Sequence, residues 1–134
     1  MKAFHILFII ILLGWAPLTN DVQAAGTTCT VIVSGPAGHG YSYEAQFEIW
    51  DLWGSPPFIY QGPSSYVSVS VGTNYYVVIP YDVTPDCIDR WGVRVRVRQL
   101  QDGVPTGEYR TDDVGPLDSD EYESGGFILS VNFN

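Results

Sequence analysis

Lysine is almost absent from this chain of 134 residues, where it occurs only as Lys2. Lysine and arginine together total six against fifteen aspartates and glutamates, which gives a formal net charge of −9. Affinity for nucleic acid comes mainly from many Lys and Arg contacts to phosphate. An anionic surface of this kind is also repelled by acidic lipids. The composition therefore argues against nucleic acid and acidic membranes as partners.

Histidine is equally scarce, since only His5 and His39 are present. His39 lies in the glycine-rich stretch Gly35–Gly40, and nothing in the sequence pairs a particular serine with it for Ser/His/Asp catalysis. A typical zinc site would need further histidine or thiolate ligands. We therefore expect a non-enzymatic protein without a cofactor, and keep a small secreted hydrolase using His39 as an alternative.

The first residues have the pattern of a secretory signal. Lys2 supplies a positive charge, residues 3–13 form an apolar run, and Val22-Gln23-Ala24 resembles a cleavage site, so we place the cut after Ala24. The run is shorter than the roughly 20 residues that span a bilayer. We expect a product without a membrane span that is secreted, periplasmic or held at the cell surface. Residues 25–134 would form a single domain.

Cysteine occurs only at Cys29 and Cys87. In an exported chain, two cysteines most simply form one disulfide. The sequence therefore predicts a Cys29–Cys87 bridge, with two buried free thiols as the alternative.

Beyond residue 25 the sequence shows no helix-length amphipathic pattern and instead alternates repeatedly between apolar and polar residues. The alternation predicts seven or eight short strands, with a polar loop at 112–126. These strands are expected at 29–33, 41–51, 58–61, 66–71, 75–83, 91–99, 108–111 and 127–133. One-sided alternation is typical of antiparallel sheets with one solvated face. We predict an all-β antiparallel sandwich of immunoglobulin-like or transthyretin-like architecture, with a small barrel as the alternative.

Three arginines alternate with valine in the predicted strand 91–99. Arg94, Arg96 and Arg98 would share its outer face, because the intervening valines face inward. If strand 41–51 is the antiparallel neighbour, its outward carboxylates meet these guanidinium groups and Trp50 takes an arginine on its ring. The alternative is a basic stripe that binds carboxylates, sulfates or an acidic protein.

Aromatic residues cluster around the predicted turn Gly54–Pro57. Trp50, Trp53 and Tyr60 lie close to it in sequence. Exposed aromatic rings on a secreted sandwich can stack on sugars or anchor a protein interface. The alternative is that these rings pack over the ends of the core.

The stretch 112–123 contains six carboxylates. Calcium takes six to eight oxygen ligands, and the spacing makes Asp118, Asp120, Glu121 and Glu123 its candidate ligands. The glycine and later ligands of an EF-hand are missing, so the alternative is a solvated acidic loop. We expect an exported binding or surface-structural module for a protein or glycan ligand. A carbohydrate-binding module with a calcium-stabilised loop is the second hypothesis.

Overall fold

The computed structural model describes residues 26–134, so the predicted leader and its cleavage site lie outside the described residues. These residues form eight strands and one short helix. In chain order these are β1 (Thr27–Ser34), β2 (Tyr41–Asp51), β3 (Phe58–Gln61), β4 (Val67–Val69), β5 (Gly72–Ile79), β6 (Trp91–Gln101), β7 (Val104–Leu117), α1 (Ser119–Ser124) and β8 (Ile128–Asn132). Within this part of the chain, no helix has the length and apolarity needed to cross a membrane.

The strands form two sheets that pack against each other. The large sheet has the order β3-β2-β6-β7, and β4 also pairs with β2. The small sheet has the order β5-β1-β8. The predicted all-β sandwich is confirmed, and the two sheets are separate rather than closed into one barrel.

The core lies between the sheets and follows the period-two alternation of the strands. β6 contributes Val93, Val95 and Val97, all at most 1% exposed. β1 contributes Val31 and Val33 from the other sheet, and both are equally buried. Because these residues face the core, the residues that alternate with them along each strand lie on the outer faces of the two sheets.

A buried carboxylate lies at one end of the large sheet. Asp51 is the last residue of β2, and its side chain is 3% exposed. Arg90 donates to it from Nε and Nη2, at 3.1 and 2.7 Å from the two carboxylate oxygens. Hydrogen bonding from Arg90 lowers the pKa of Asp51 and outweighs the opposite effect of burial. The arginine also lies over the ring of buried Trp91, so this contact fixes the start of β6.

Three details differ from the sequence-based expectations. β1 and β8 are parallel, whereas every other strand pair is antiparallel. The predicted polar loop 112–126 is wrong, because β7 continues to Leu117 and α1 follows. The regular alternation expected over 75–83 is interrupted, and Tyr75 is 71% exposed. The pairing of β1 with β5 shifts register beside it, and two residues, Tyr75 and Tyr76, bulge opposite Thr30.

The predicted disulfide is also wrong, since Cys29 and Cys87 are unpaired. Cys29 lies on the inner face of β1, 3% exposed, and its thiol donates to the carbonyl of Val77. Burial raises the pKa of the Cys29 thiol to about 12. Cys87 is exposed, beside Ser119 and Asp120 at the start of α1. Counting cysteines predicts a pair, but the alternation of β1 directs Cys29 into the core and away from a surface partner.

Candidate functional site

The arginine-bearing face of β6 pairs with β2 as the sequence predicts. The register places Arg98 opposite Glu44, Arg96 opposite Gln46 and Arg94 opposite Glu48. Arg98 binds Glu44 at 2.6 Å. Arg94 instead binds Asp113 of β7, 2.6 Å away.

Each of the three arginines also lies over an aromatic ring. The guanidinium carbon is 4.8 Å from the Trp50 ring centre for Arg94, 4.4 Å from Tyr109 for Arg96, and 3.7 Å from Tyr66 for Arg98. Cation–π contacts of this type are electrostatically favourable. The arginines are therefore engaged by carboxylates and rings of this chain. These contacts fit the structural interpretation, in which the arginines of β6 pair with side chains of neighbouring strands. They fit a basic stripe that is free to bind anions less well.

A hollow lies at one end of this outer face, beside Trp50. Gly92 is opposite Trp50 in the β2–β6 register and has no side chain to fill the space. The cavity measures about 370 Å³, within the usual range for small-molecule sites. It is lined by Trp50, Leu52, Pro57, Gly92, Val93, Arg94, Asp113, Val114 and Gly115. We call this cavity the Trp50 hollow.

Two of the residues that line the hollow form an ion pair. Arg94 donates to both oxygens of Asp113, at 2.6 and 3.4 Å. The hydrogen bond to Asp113 raises the pKa of Arg94, and the opposite formal charges of the two side chains cancel. The guanidinium of Arg94 offers hydrogen-bond donors to a ligand, and the carboxylate of Asp113 offers acceptors.

A break in the regular pairing of β6 with β7 lies beside the hollow, and residues on both strands at this break line it. The register shifts between Trp91 and Val93, so that Val93 is opposite Val114 while Trp91 is opposite Leu117. The extra residues include Gly115, whose φ is +140° and where a Cβ would lie 2.8 Å from the Trp91 carbonyl oxygen. Only glycine fits this close approach.

The predicted aromatic cluster separates into two groups. Trp50 lines the hollow, and Trp53 is 63% exposed in the loop after β2, where its indole N–H donates to the Asp89 carbonyl. Tyr60 is half-buried instead: its ring lies 4.6 Å from buried Trp91, and its hydroxyl bonds Thr84. Tyr60 therefore belongs to the core edge rather than to the exposed site.

The acidic stretch begins a helix. Asp118 accepts from the Glu121 backbone N–H at 2.7 Å, and Glu121 accepts from that of Asp118 at 3.0 Å. This reciprocal capping box satisfies two amides at the start of α1. Of the four predicted calcium ligands, Asp118 and Glu121 come together with Asp89, their oxygens within 4.8 Å of one another. Asp120 and Glu123 are not in this group.

Sequence reasoning misses part of the Trp50 hollow. Asp113 and Val114 fall in the stretch assigned to a loop, because β7 is exposed along most of its length and lacks one-sided alternation. Gly92 reads as a strand residue without a role. The sequence does contain one signal for a cavity here, because Gly92 lies opposite Trp50 on the outer face. This signal appears only once the β2–β6 register is assumed.

His39 lies in the exposed turn between β1 and β2, with a left-handed φ of 52°. Comparison with family models, with curated proteins and with solved structures finds no match to this chain. Its function is therefore inferred from the geometry above.

Proposed function

We propose that this chain is an exported, non-enzymatic binding module, and that its ligand is a neutral saccharide held in the Trp50 hollow. The observation that carries the proposal is the grouping of an aromatic wall, an apolar floor and a charge-neutral Arg94–Asp113 pair around one cavity. Export is the expectation from the leader pattern at residues 1–24.

A sugar ring has weakly polar C–H faces and a rim of hydroxyls. The C–H face favours contact with an aromatic ring such as Trp50. The hydroxyls both donate and accept hydrogen bonds, which suits a paired guanidinium and carboxylate better than a lone charge. Since the charges of Arg94 and Asp113 cancel, the hollow favours a neutral ligand over an anion.

The lining of the hollow also supports a binding role rather than glycoside hydrolysis. Most glycosidases use two carboxyl groups about 5–9.5 Å apart. The lining residues supply one carboxylate, Asp113, and Arg94 already occupies it. A bound saccharide would therefore be held without the usual acid and base on either side of a glycosidic bond.

A glycan array followed by calorimetry tests the proposal. We expect a neutral glycan to bind, and Gly92→Leu to abolish binding by filling the hollow. A Cβ at Gly92 would meet Leu52 Cδ1 at 3.2 Å, and that side chain is 37% exposed and free to shift. Gly92→Ala gives an intermediate loss. Trp50→Ala should also remove binding.

Arg96→Gln and Trp53→Ala are matched controls, since neither residue lines the hollow. Both should bind as the unmodified protein does. An array without any bound neutral glycan would overturn the proposal, as would binding that survives Gly92→Leu. Loss on Trp53→Ala with no effect of Gly92→Leu would place the site in the loop after β2 instead.

A further inference from the structure

We infer that Leu52 limits the size of ligand that the Trp50 hollow accepts, so that the site selects neutral sugars with unsubstituted hydroxyls over their N-acetylated counterparts. This assignment rests on the proposed saccharide function and names the class of sugar within it. Three features of the hollow support it.

The side chain of Leu52 lies over two glycines on neighbouring strands. A Cβ at Gly92 of β6 would lie 3.2 Å from Leu52 Cδ1, and a Cβ at Gly115 of β7 would lie 3.5 Å from the same atom. Leu52 is also one of the residues that line the hollow. Its isopropyl group therefore occupies part of the space that the two glycines leave open.

The backbone of Leu52 is anchored beside the start of β6. Its N–H donates to the Arg90 carbonyl at 2.8 Å, and the Arg90 side chain binds the buried carboxylate of the preceding residue, Asp51. Removal of the isopropyl group would thus enlarge the hollow without displacing the chain that carries it. Rotation of the intact side chain into solvent would expose apolar surface at a cost in free energy, so a ligand that needs this space binds more weakly.

The ion pair and Leu52 lie on different sides of Gly92. Arg94 follows Gly92 by two residues along β6 and is opposite Asp113, so the ion pair lies toward the middle of β6. Leu52 comes directly after the end of β2, and β2 is antiparallel to β6, so Leu52 lies toward the start of β6. A ligand above Gly92 therefore has polar groups on one side and apolar Leu52 on the other.

This arrangement suits a sugar with free hydroxyls better than an N-acetylated one. The methyl of an acetyl group favours apolar surroundings, but the isopropyl group of Leu52 already fills the apolar side of the hollow. The polar side suits hydroxyls, which donate and accept hydrogen bonds. A single methylene of difference in a hydrophobic pocket changes discrimination roughly 10–200-fold, so the selection against an acetyl group should be measurable.

A glycan array carrying glucose, galactose and mannose, each with and without an N-acetyl group on the same linker, tests the role of Leu52. We expect the parent to bind a plain hexose at least about tenfold more strongly than its N-acetylated counterpart. Leu52→Ala should reduce that preference to about threefold or less by strengthening the binding of the N-acetylated sugar. Leu52→Val should give an intermediate preference, since it removes less of the side chain.

Leu52→Met and Val67→Ala are the matched controls. Methionine keeps the apolar bulk, and Val67 is 40% exposed on β4 and does not line the hollow, so both variants should keep the preference. Equal binding of plain and N-acetylated sugars by the parent would overturn the inference and leave the saccharide proposal in place. An unchanged preference in both Leu52→Ala and Leu52→Val would do the same. A parent that binds no glycan on the array would instead overturn the saccharide proposal, and this inference with it.

Discussion

Arg98 on β6 donates to Glu44 on β2, with 2.8 Å between Nε and Oε2, while its guanidinium lies over the Tyr66 ring. The two charged residues are directly opposite in the antiparallel register. A shift of one residue would turn the arginines of β6 into the core. The contact therefore reports the register of the two longest neighbouring strands in the large sheet.

We expect the Arg98–Glu44 pair to contribute little to stability but to be measurably coupled. Urea unfolding of Arg98→Gln, Glu44→Gln and the double variant should give a coupling free energy of about 0–1 kcal/mol, because both side chains are partly solvated. Glu44→Gln with Arg94→Gln is the control, since Arg94 is opposite Glu48. Its losses should add, and equal coupling in both cycles would contradict the assigned register.

Asp51 should make stability depend on acid pH. Its folded-state pKa lies below the ordinary value of 3.8 because Arg90 donates to it. The ionised carboxylate therefore favours the folded state above that value, and this contribution is lost as the pH falls through the lower folded-state pKa. Thermal unfolding should find Asp51→Asn less stable than the parent at neutral pH, with the gap narrowing in strong acid. A constant gap down to about pH 2 would contradict the lowered pKa.

The two thiols should differ in reactivity. At about pH 8, iodoacetamide should modify exposed Cys87 in the folded protein and leave Cys29 unreacted, because the thiolate is the reactive form and burial raises the pKa of Cys29 to about 12. Both should react in urea. Mass spectrometry distinguishes these states. A mass two hydrogens lower before reduction would mean that the cysteines are paired.

Removing the cap of α1 should destabilise the protein. Asp118→Ala loses the hydrogen bond to the Glu121 amide, and N-cap losses of this kind cost about 0.5–2 kcal/mol. Asp118→Ser keeps a capping oxygen and should recover most of that loss. Asp120→Ala, also in the first turn, serves as a control in the same urea titration. A larger effect for Asp120→Ala would mean that the cap contributes little.

Alternation between a buried and a solvated face makes a strand easy to predict from sequence. β2 was predicted with the correct bounds, and β6 with the correct start, because buried and outward residues alternate along both. The bounds of β3 were also correct, although none of its residues is fully buried. β7 was largely missed, since it is exposed along most of its length and gives no such signal. The helix was missed because six residues are too few for an amphipathic period, although Asp118 and Glu121 have the spacing of a capping box.

The site residues were predictable in part for the same reason. Trp50 and Arg94 were correctly placed on one outer face, because register follows from matching two alternating patterns. Asp113 could not be found, since it comes from the strand that lacks alternation. The disulfide prediction failed because pairing depends on where side chains point in three dimensions, which the number of cysteines does not determine.

The parallel pairing of β1 with β8 has a consequence for the order of folding. Thr30 is opposite Ile128, so the central strand of the small sheet depends on contacts with β8, which is far from it in sequence. The β6–β7 hairpin, in contrast, forms from neighbouring segments. All strands of the large sheet precede β8 in the chain, so during synthesis this sheet can assemble before β1 pairs with β8. Such long-range closure slows folding, and until then the small sheet exists only as β1 and β5.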